Sequence, residues 1–304
     1  MGLSFTALLS AVPGSVAQGL IWGIMAIGVF ITFKLLNFAD LTVDGTLALG
    51  GAVAVMLIIN GYSPVVVLIV SFIAGMAAGL ITGLLHTVFG IPDILAGILT
   101  QISLYSINLH VMGKSSQAVS VDKYNLIISL RNIPNAILVG AIFVAAIVAI
   151  LYWYFGTEQG FTIRATGSNE NMSRAQGIST SKAKVLGLTL SNGLVGLSGA
   201  LYAQYQGNAD VNMGRGAIVI GLAAVIIGEV IGNALLGKYM NFALRMIFVA
   251  VGAILYYFVL TFVLWLGLDS QDLKLFSAIV VACFLAIPYL KGKYGGRRTK
   301  KGAK

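Results

Sequence analysis

Runs of uninterrupted apolar residues recur along the whole chain, and that repetition decides the fold class. A helix of about 20 apolar residues crosses the roughly 30 Å hydrocarbon layer of a bilayer. Backbone N–H and C=O groups find no water there, so only helices and closed barrels can span it. Barrel strands read as short alternations of apolar and polar residues. Here the runs are continuous and rich in Leu, Ile, Val, Ala and Gly. The expected fold is an all-α polytopic membrane protein, a bundle of about eight to ten transmembrane helices. Nine spans are expected near 14–36, 43–60, 64–88, 93–112, 134–155, 185–205, 216–236, 241–267 and 274–290, with residues 3–12 lying along the interface. Only 10% of the 304 residues are charged. A soluble domain carries about 25%, so much of this exterior must face lipid. The whole chain reads as one transmembrane domain.

Lys and Arg collect on the cytoplasmic side of membrane proteins. The tail KGKYGGRRTKKGAK (291–304) is the densest basic cluster in a chain of net charge +9. It follows an apolar run directly, so anionic lipid rather than nucleic acid is its expected partner. With the C-terminus inside, the acidic turn LGLDSQD (266–272) falls outside, Lys238 and Arg245 flank an inside turn, and residues 160–184, with Arg164, Arg174, Lys182 and Lys184, lie inside. The same count puts the N-terminus outside. It also puts Lys114, Lys123 and Arg131 outside, against the rule. No cleavable signal peptide is expected, and the match of MGLSFT to a myristoylation pattern is read as accidental.

Little in the chain suggests catalysis. The GKS at Gly113–Ser115 resembles the end of a phosphate-binding loop, but Asn108 stands where that motif needs a glycine. His86 and His110 lack clustered carboxylates, and Cys283 has no partner cysteine. No metal, no cofactor and no enzymatic activity are therefore expected in this chain. If ATP drives it, the ATPase is a separate subunit.

Several polar groups inside or beside the spans need another explanation. Asn37, Asp40 and Asp44 sit among glycines where two apolar runs meet, in NFADLTVDGTLALGGAVA (37–54). Ionisable groups facing lipid are costly. The segment is either a broken helix lining a cavity or a solvated turn. Gln101, Tyr105 and Asn108 fall at i, i+4 and i+7, on one helical face. That face either bonds other helices or wets a pathway. Glu229 is a lone carboxylate in an apolar stretch, suited to pair with a cation, take a proton or mark a break. Gly75, Gly79 and Gly83 form a small-residue stripe that admits another helix closely.

The polar segment 160–184 interrupts this pattern. SNENMSRAQG offers Ser168 or Asn169 as N-cap, Glu170 early, Arg174 late and Gly177 as a stop. A short terminated helix near 168–176, parallel to the membrane, is expected. Gly160, Arg164, Ala165, Gly167, Asn169, Glu170, Ala175, Gly177 and Ile178 resemble the cytoplasmic coupling loop of ATP-binding-cassette importer permeases, in the branch of the branched-chain amino acid and ribose permeases. FADLTVDGTLALGGAVA resembles a second element of that family. GLAAVIIGEVIGN resembles a third, with Glu229 where a glycine is usual. LLNFADLTVDG looks most like a tryptophan and tyrosine permease branch.

The resemblance implies a bacterial inner-membrane permease that moves a small solute, an amino acid and possibly an aromatic one. It implies ATPase subunits below, carrying ATP and Mg. An extracellular substrate-binding protein or lipoprotein would dock above, and a second permease subunit, a homodimer in preference to a heterodimer, would share the pathway. Arg164, Asn169, Glu170, Arg174 and Gly177 would couple to the ATPase. Asn37, Asp40, Asp44, Gln101, Tyr105, Asn108 and Glu229 would line the pathway. Lys114, Lys123, Arg131 and Arg215 would meet acidic residues of the binding protein, where opposite charge speeds and orients docking. The alternative is an ion-coupled secondary carrier using Glu229 or Asp40.

Overall fold

The computed structural model describes residues 5–121, 123–124, 126–266, 275–283 and 286. Among these, eight helices are long and apolar enough to cross a membrane. They are α1 (Phe5–Phe30, prolonged by a π-helical turn at Ile31–Leu35), α2 (Thr42–Ile59), α3 (Pro64–Thr87), α4 (Asp93–Met112), α5 (Ile133–Tyr154), α8 (Thr180–Gln206), α9 (Ala217–Leu236) and α10 (Phe242–Trp265). Two further helices, α6 (Glu158–Ser168) and α7 (Glu170–Ala175), lie between α5 and α8. At the opposite end, β1 (Ser116–Ala118) pairs antiparallel with β2 (Asn208–Asp210), Gln117 facing Ala209. The ninth expected span is helical at 275–283 and at 286. The rest of it, the turn 267–272 and the tail 291–304 lie outside the described residues.

Three boundaries differ from expectation. Residues 5–12 are not a separate interfacial piece but the first turns of α1, which runs through Pro13. The helix α8 starts at Thr180 rather than near 185, so Lys182 and Lys184 belong to it. The coupling segment holds two helices, because Thr157 caps a first one by accepting from the Gly160 N–H at 3.4 Å.

The centre of the bundle is α8, packed against α1, α2, α3 and α6. In lipid, helices gain nothing from hiding apolar surface, so they associate through close packing and hydrogen bonds. Small residues on α8 and its neighbours make that approach possible. A Cβ on Gly28 of α1 would stand 2.8 Å from the Ser191 carbonyl oxygen. One on Gly50 of α2 would run into the Gly196 backbone, and one on Gly199 into the Leu47 carbonyl. The stripe Gly75, Gly79 and Gly83 of α3 lies against Asn192, Leu188 and Val185 of α8, the close helix its spacing called for. Hydroxyls stitch the same seams. Ser191 Oγ donates to the Gly28 carbonyl at 2.7 Å and Ser198 Oγ to the Ile21 carbonyl at 2.8 Å.

Between α1 and α2 the helix is broken. The π turn closes with the Leu36 N–H donating to the Ile31 carbonyl at 3.0 Å. Asn37 then takes φ 53°, the only positive φ outside glycine among the described residues. The chain next turns back into the bundle. Leu36 packs on Gly187 of α8, whereas Asp40 bonds Asn192, farther along the same helix. The first turn of α2 is therefore inside the protein, and Thr42 and Thr46 are fully buried. The segment 37–54 thus combines an exposed turn at Asn37 with a buried break at Asp40.

The α3–α8 seam leaves no room for a branched side chain. Gly79→Val is expected to lower the detergent melting temperature through overpacking of about 1–3 kcal/mol. Ile73→Val, at a position 56% exposed on the same helix, should melt within about 0.5 kcal/mol of wild type.

Candidate translocation and coupling sites

Asp40 sits at the break, 2% exposed. One carboxylate oxygen accepts the Thr42 N–H at 3.0 Å, an unpaired donor at the start of α2, and the other accepts Asn192 Nδ2 at 2.7 Å. Asn192 is held in turn, its Oδ1 accepting the Thr46 hydroxyl at 2.7 Å. Beside this cluster the hydroxyls of Thr42, Thr82 and Thr100 form a row with spacings of 2.7 and 2.9 Å, tying α2, α3 and α4 together. Nothing in the sequence pattern pointed to Asn192. The only signal was a polar Ser-Asn pair in the middle of an apolar span.

Asp44, in the first turn of α2, does something different. Its carboxylate accepts the Gly216 and Ile218 N–H groups, both at 2.9 Å, at the start of α9. A carboxylate complements the positive end of a helix dipole. Asp44 thereby fixes the first turn of α9 against the first turn of α2. Next to this contact is a cavity of about 340 Å³, lined by Asp44, Gly45, Gln101, Ile102, Tyr105, Asn108, Val211 and Arg215. The first turn of α2 and the loop between β2 and α9 thus converge on the polar face of α4 expected from the spacing of Gln101, Tyr105 and Asn108. Arg215, expected among the docking residues, lies on this wall.

The other pathway candidates lie apart from the cavity. Asn37 is exposed at the π-helical end of α1. Glu229 of α9 pairs with Lys34 of that same turn at 2.8 Å, and both are partly solvent-exposed. Lys34 was not singled out, since 195 positions separate the partners. Of the remaining docking candidates, Lys114 and Arg131 are exposed at the end of the bundle that carries the β-ribbon. Lys123 lies there too, over the Tyr124 ring at 5.3 Å.

At the opposite end, Asn169 caps α7 by accepting the Met172 N–H at 3.0 Å, and Gly177 ends the turn after it at φ 80°. Glu170 receives two cations, Arg174 Nη2 at 2.6 Å and Lys184 Nζ at 2.9 Å. Lys184 also lies 3.3 Å from His86 Nε2, while His86 Nδ1 faces the Ile91 carbonyl at 2.9 Å. That carbonyl can only accept, so Nδ1 carries the proton and Nε2 accepts from the ammonium. Arg174 Nε further donates to Thr180 Oγ1 at 3.0 Å. These contacts attach α7 to the first turns of α8 and to the end of α3. Arg164 acts elsewhere. Its guanidinium donates to the Phe155 carbonyl at 3.1 Å and stacks 4.5 Å from the Phe161 ring centre, fixing α6 to the end of α5. A Cβ on Gly167 would collide with Leu35 and Leu36, so α6 lies directly on the π turn of α1.

Residues 12–288 match the family described as branched-chain amino acid transport system, permease component. The chain is 39% identical over 278 residues to the tyrosine transport system permease protein of Clostridioides difficile (strain R20291), covering 91% of each chain. It is 26% identical over 267 residues to the ribose import permease protein RbsC of Escherichia coli (strain K12), covering 85% of this chain and 79% of that one. Over 255 residues it is 26% identical to the galactofuranose transporter permease protein YtfT of the same organism, covering 82% and 71%. No solved structure matches the chain. The chain belongs to this family of ATP-binding-cassette transporter permeases, and it is a multi-pass membrane protein.

The hydrogen bond from Lys184, with the charges of Lys184 and Arg174, holds the Glu170 carboxyl below its ordinary value of 4.5. A depressed pKa means that the contribution of Glu170 is complete above the unfolded-state value and lost as pH falls through the folded one. Amide exchange of residues 170–175 is expected to stay slow from neutral pH down to about 5, then accelerate relative to the base-corrected rate as the pH drops below the ordinary carboxylate range. In Lys184→Met that acceleration should begin at a higher pH.

Proposed function

We propose that the chain is the transmembrane subunit of an importer that carries an amino acid, aromatic ones included, into a bacterial cell. Separate ATPase subunits bind ATP and Mg and dock under α6 and α7, and this chain turns over no ATP itself. A substrate-binding protein or lipoprotein docks at the β-ribbon end, where Lys114, Lys123 and Arg131 are exposed. A second copy of the chain completes the pathway. The N-terminus then lies outside and the C-terminus in the cytoplasm.

The observation that carries this reading is the attachment of α7. A six-residue helix with an N-cap, a glycine stop and an ion pair to α8 is a stiff handle on the central helix. A passive channel has no use for one. The amino-acid cargo is supported by the tyrosine permease likeness over 91% of both chains. The ion-coupled carrier is the weaker reading. Glu229 is paired with Lys34, and Asp40 has both oxygens engaged by donors, which leaves neither carboxylate free to load and release a cation.

The test is ATP turnover in lipid by the chain co-assembled with its ATPase subunit. Loaded binding protein is expected to stimulate wild type, and Glu170→Ala with Arg174→Ala to lose that response about tenfold or more while the subunits still assemble. Uptake by the chain alone down an ion gradient, without ATP, would sink the importer reading.

A further inference from the structure

We infer that the cavity between α2, α4 and the start of α9 is a binding subsite for the zwitterionic head of an amino acid, with Arg215 taking the carboxylate and Asn108 and Asp44 the ammonium. This rests on the amino-acid importer reading and adds where, within the permease itself, such a cargo is recognised.

The argument begins with Asn108, which is completely buried on the cavity wall. Its Nδ2 lies 3.4 Å from the Gly45 carbonyl. A carbonyl only accepts, so the amide nitrogen must face it, and Oδ1 is turned the other way. That oxygen has no hydrogen-bond partner among the described residues. A buried acceptor without a donor is costly, and at a cavity wall the missing donor is what a ligand brings. Asp44 lines the same wall. Its carboxylate accepts the backbone N–H groups of Gly216, Ala217 and Ile218, and its two oxygens together offer about four lone-pair sites, so one acceptor position is left beside the space. Two acceptors, one of them anionic, are the partners an ammonium group needs.

Lining the same cavity, Arg215 contributes a guanidinium for which no ion pair or side-chain hydrogen bond is found among the described residues. Guanidinium binds carboxylate with two parallel hydrogen bonds. One cation and one anion on the same wall suit a ligand that carries both charges. A sugar would leave both unanswered, a simple anion would meet Asp44, and a simple cation would meet Arg215. Tyr105 and Ile102, 43% and 63% exposed beside the cavity, offer a ring and an aliphatic face to the cargo's side chain. The volume of about 340 Å³ falls within the roughly 300–1,000 Å³ of small-molecule sites.

The test uses the complete transporter, with ATPase and binding protein, in proteoliposomes. Radiolabelled L-tyrosine is the probe, and two quantities are measured: tyrosine moved per ATP hydrolysed, and affinity for loaded binding protein. Arg215→Gln and Asn108→Leu are each expected to cut tyrosine moved per ATP about tenfold, with binding-protein affinity kept. Arg215→Lys and Asn108→Asp, which retain the cation and the acceptor, should recover part of the loss. If wild type pumps tyrosine and Arg215→Gln pumps it at the same ratio, the subsite is wrong and the importer reading stands. If Arg215→Gln weakens binding-protein affinity while Asn108→Leu changes nothing, Arg215 is a docking residue and the subsite is again overturned. If wild type hydrolyses ATP in response to binding protein but moves neither tyrosine, tryptophan nor leucine, the amino-acid cargo fails and takes the subsite with it.

Discussion

A carboxylate taken out of water has to be given hydrogen-bond donors, or it stays protonated or stays out. Asp40 is given two, the Thr42 N–H and the Asn192 amide. Each donor fixes something larger than itself. The backbone donor belongs to a helix start whose N–H groups have no partner within the helix, so satisfying Asp40 and starting α2 inside the bundle are one event. The side-chain donor belongs to the middle of α8, so the break in the chain is pinned to the central helix at one depth. Thr46 occupies the other end of the Asn192 amide, which sets the orientation of that side chain and keeps its donor on Asp40.

An interior helix start creates the cavity as a by-product. Because α2 begins partway through the bundle, its first turn faces α4 and the start of α9 rather than solvent. Asp44 then serves as the acceptor for the first N–H groups of α9. Two helix starts meet through one carboxylate. The space left beside them takes its polar lining from Asp44 and Arg215 near those starts and from Gln101, Tyr105 and Asn108 on the side of α4. The rest of the bundle closes tightly by the opposite means. Glycines at 28, 50, 75, 79 and 199 bring backbone against backbone, and Ser191 and Ser198 bond carbonyls of the neighbouring helix.

The spans were legible in the sequence because hydrocarbon imposes length and apolarity on any segment that crosses it. So was the face of α4, since Gln101, Tyr105 and Asn108 are brought together by helical spacing alone. The capped helix after Asn169 was legible for the same local reason. What escaped were pairings made by the return of the chain. Lys34 gives no sign that its partner is Glu229 on α9, and Arg215 looks like an outer-loop cation until the loop is seen to reach Asp44. Asn192 and Lys184 were hidden differently. Each reads as an ordinary residue of its segment and gains its importance from what α3, α7 and the broken helix bring to it. Gly160 and Gly167 entered only through a family resemblance, and the structure shows them to be sites of close packing, against Phe155 and against Leu35.

One helix carries both the contact to α7 and the contact to the break between α1 and α2. Near its start, α8 holds α7 through Lys184 and Glu170; near its middle it holds the broken helix through Asn192 and Asp40. The two residues are eight positions apart, about 12 Å along the axis at the usual rise per residue, and the segment between them is continuous helix. Close-packed helices of this kind move as rigid pieces rather than stretching. In the proposed importer, a displacement of α7 by an ATPase subunit would thereby reach the depth at which α2 begins, and the Asp44 contact would pass it on to the start of α9. The cavity lies between those two helix starts. In that reading its width would follow the position of α8, so that a force applied at one end of the bundle would be felt where the polar groups converge.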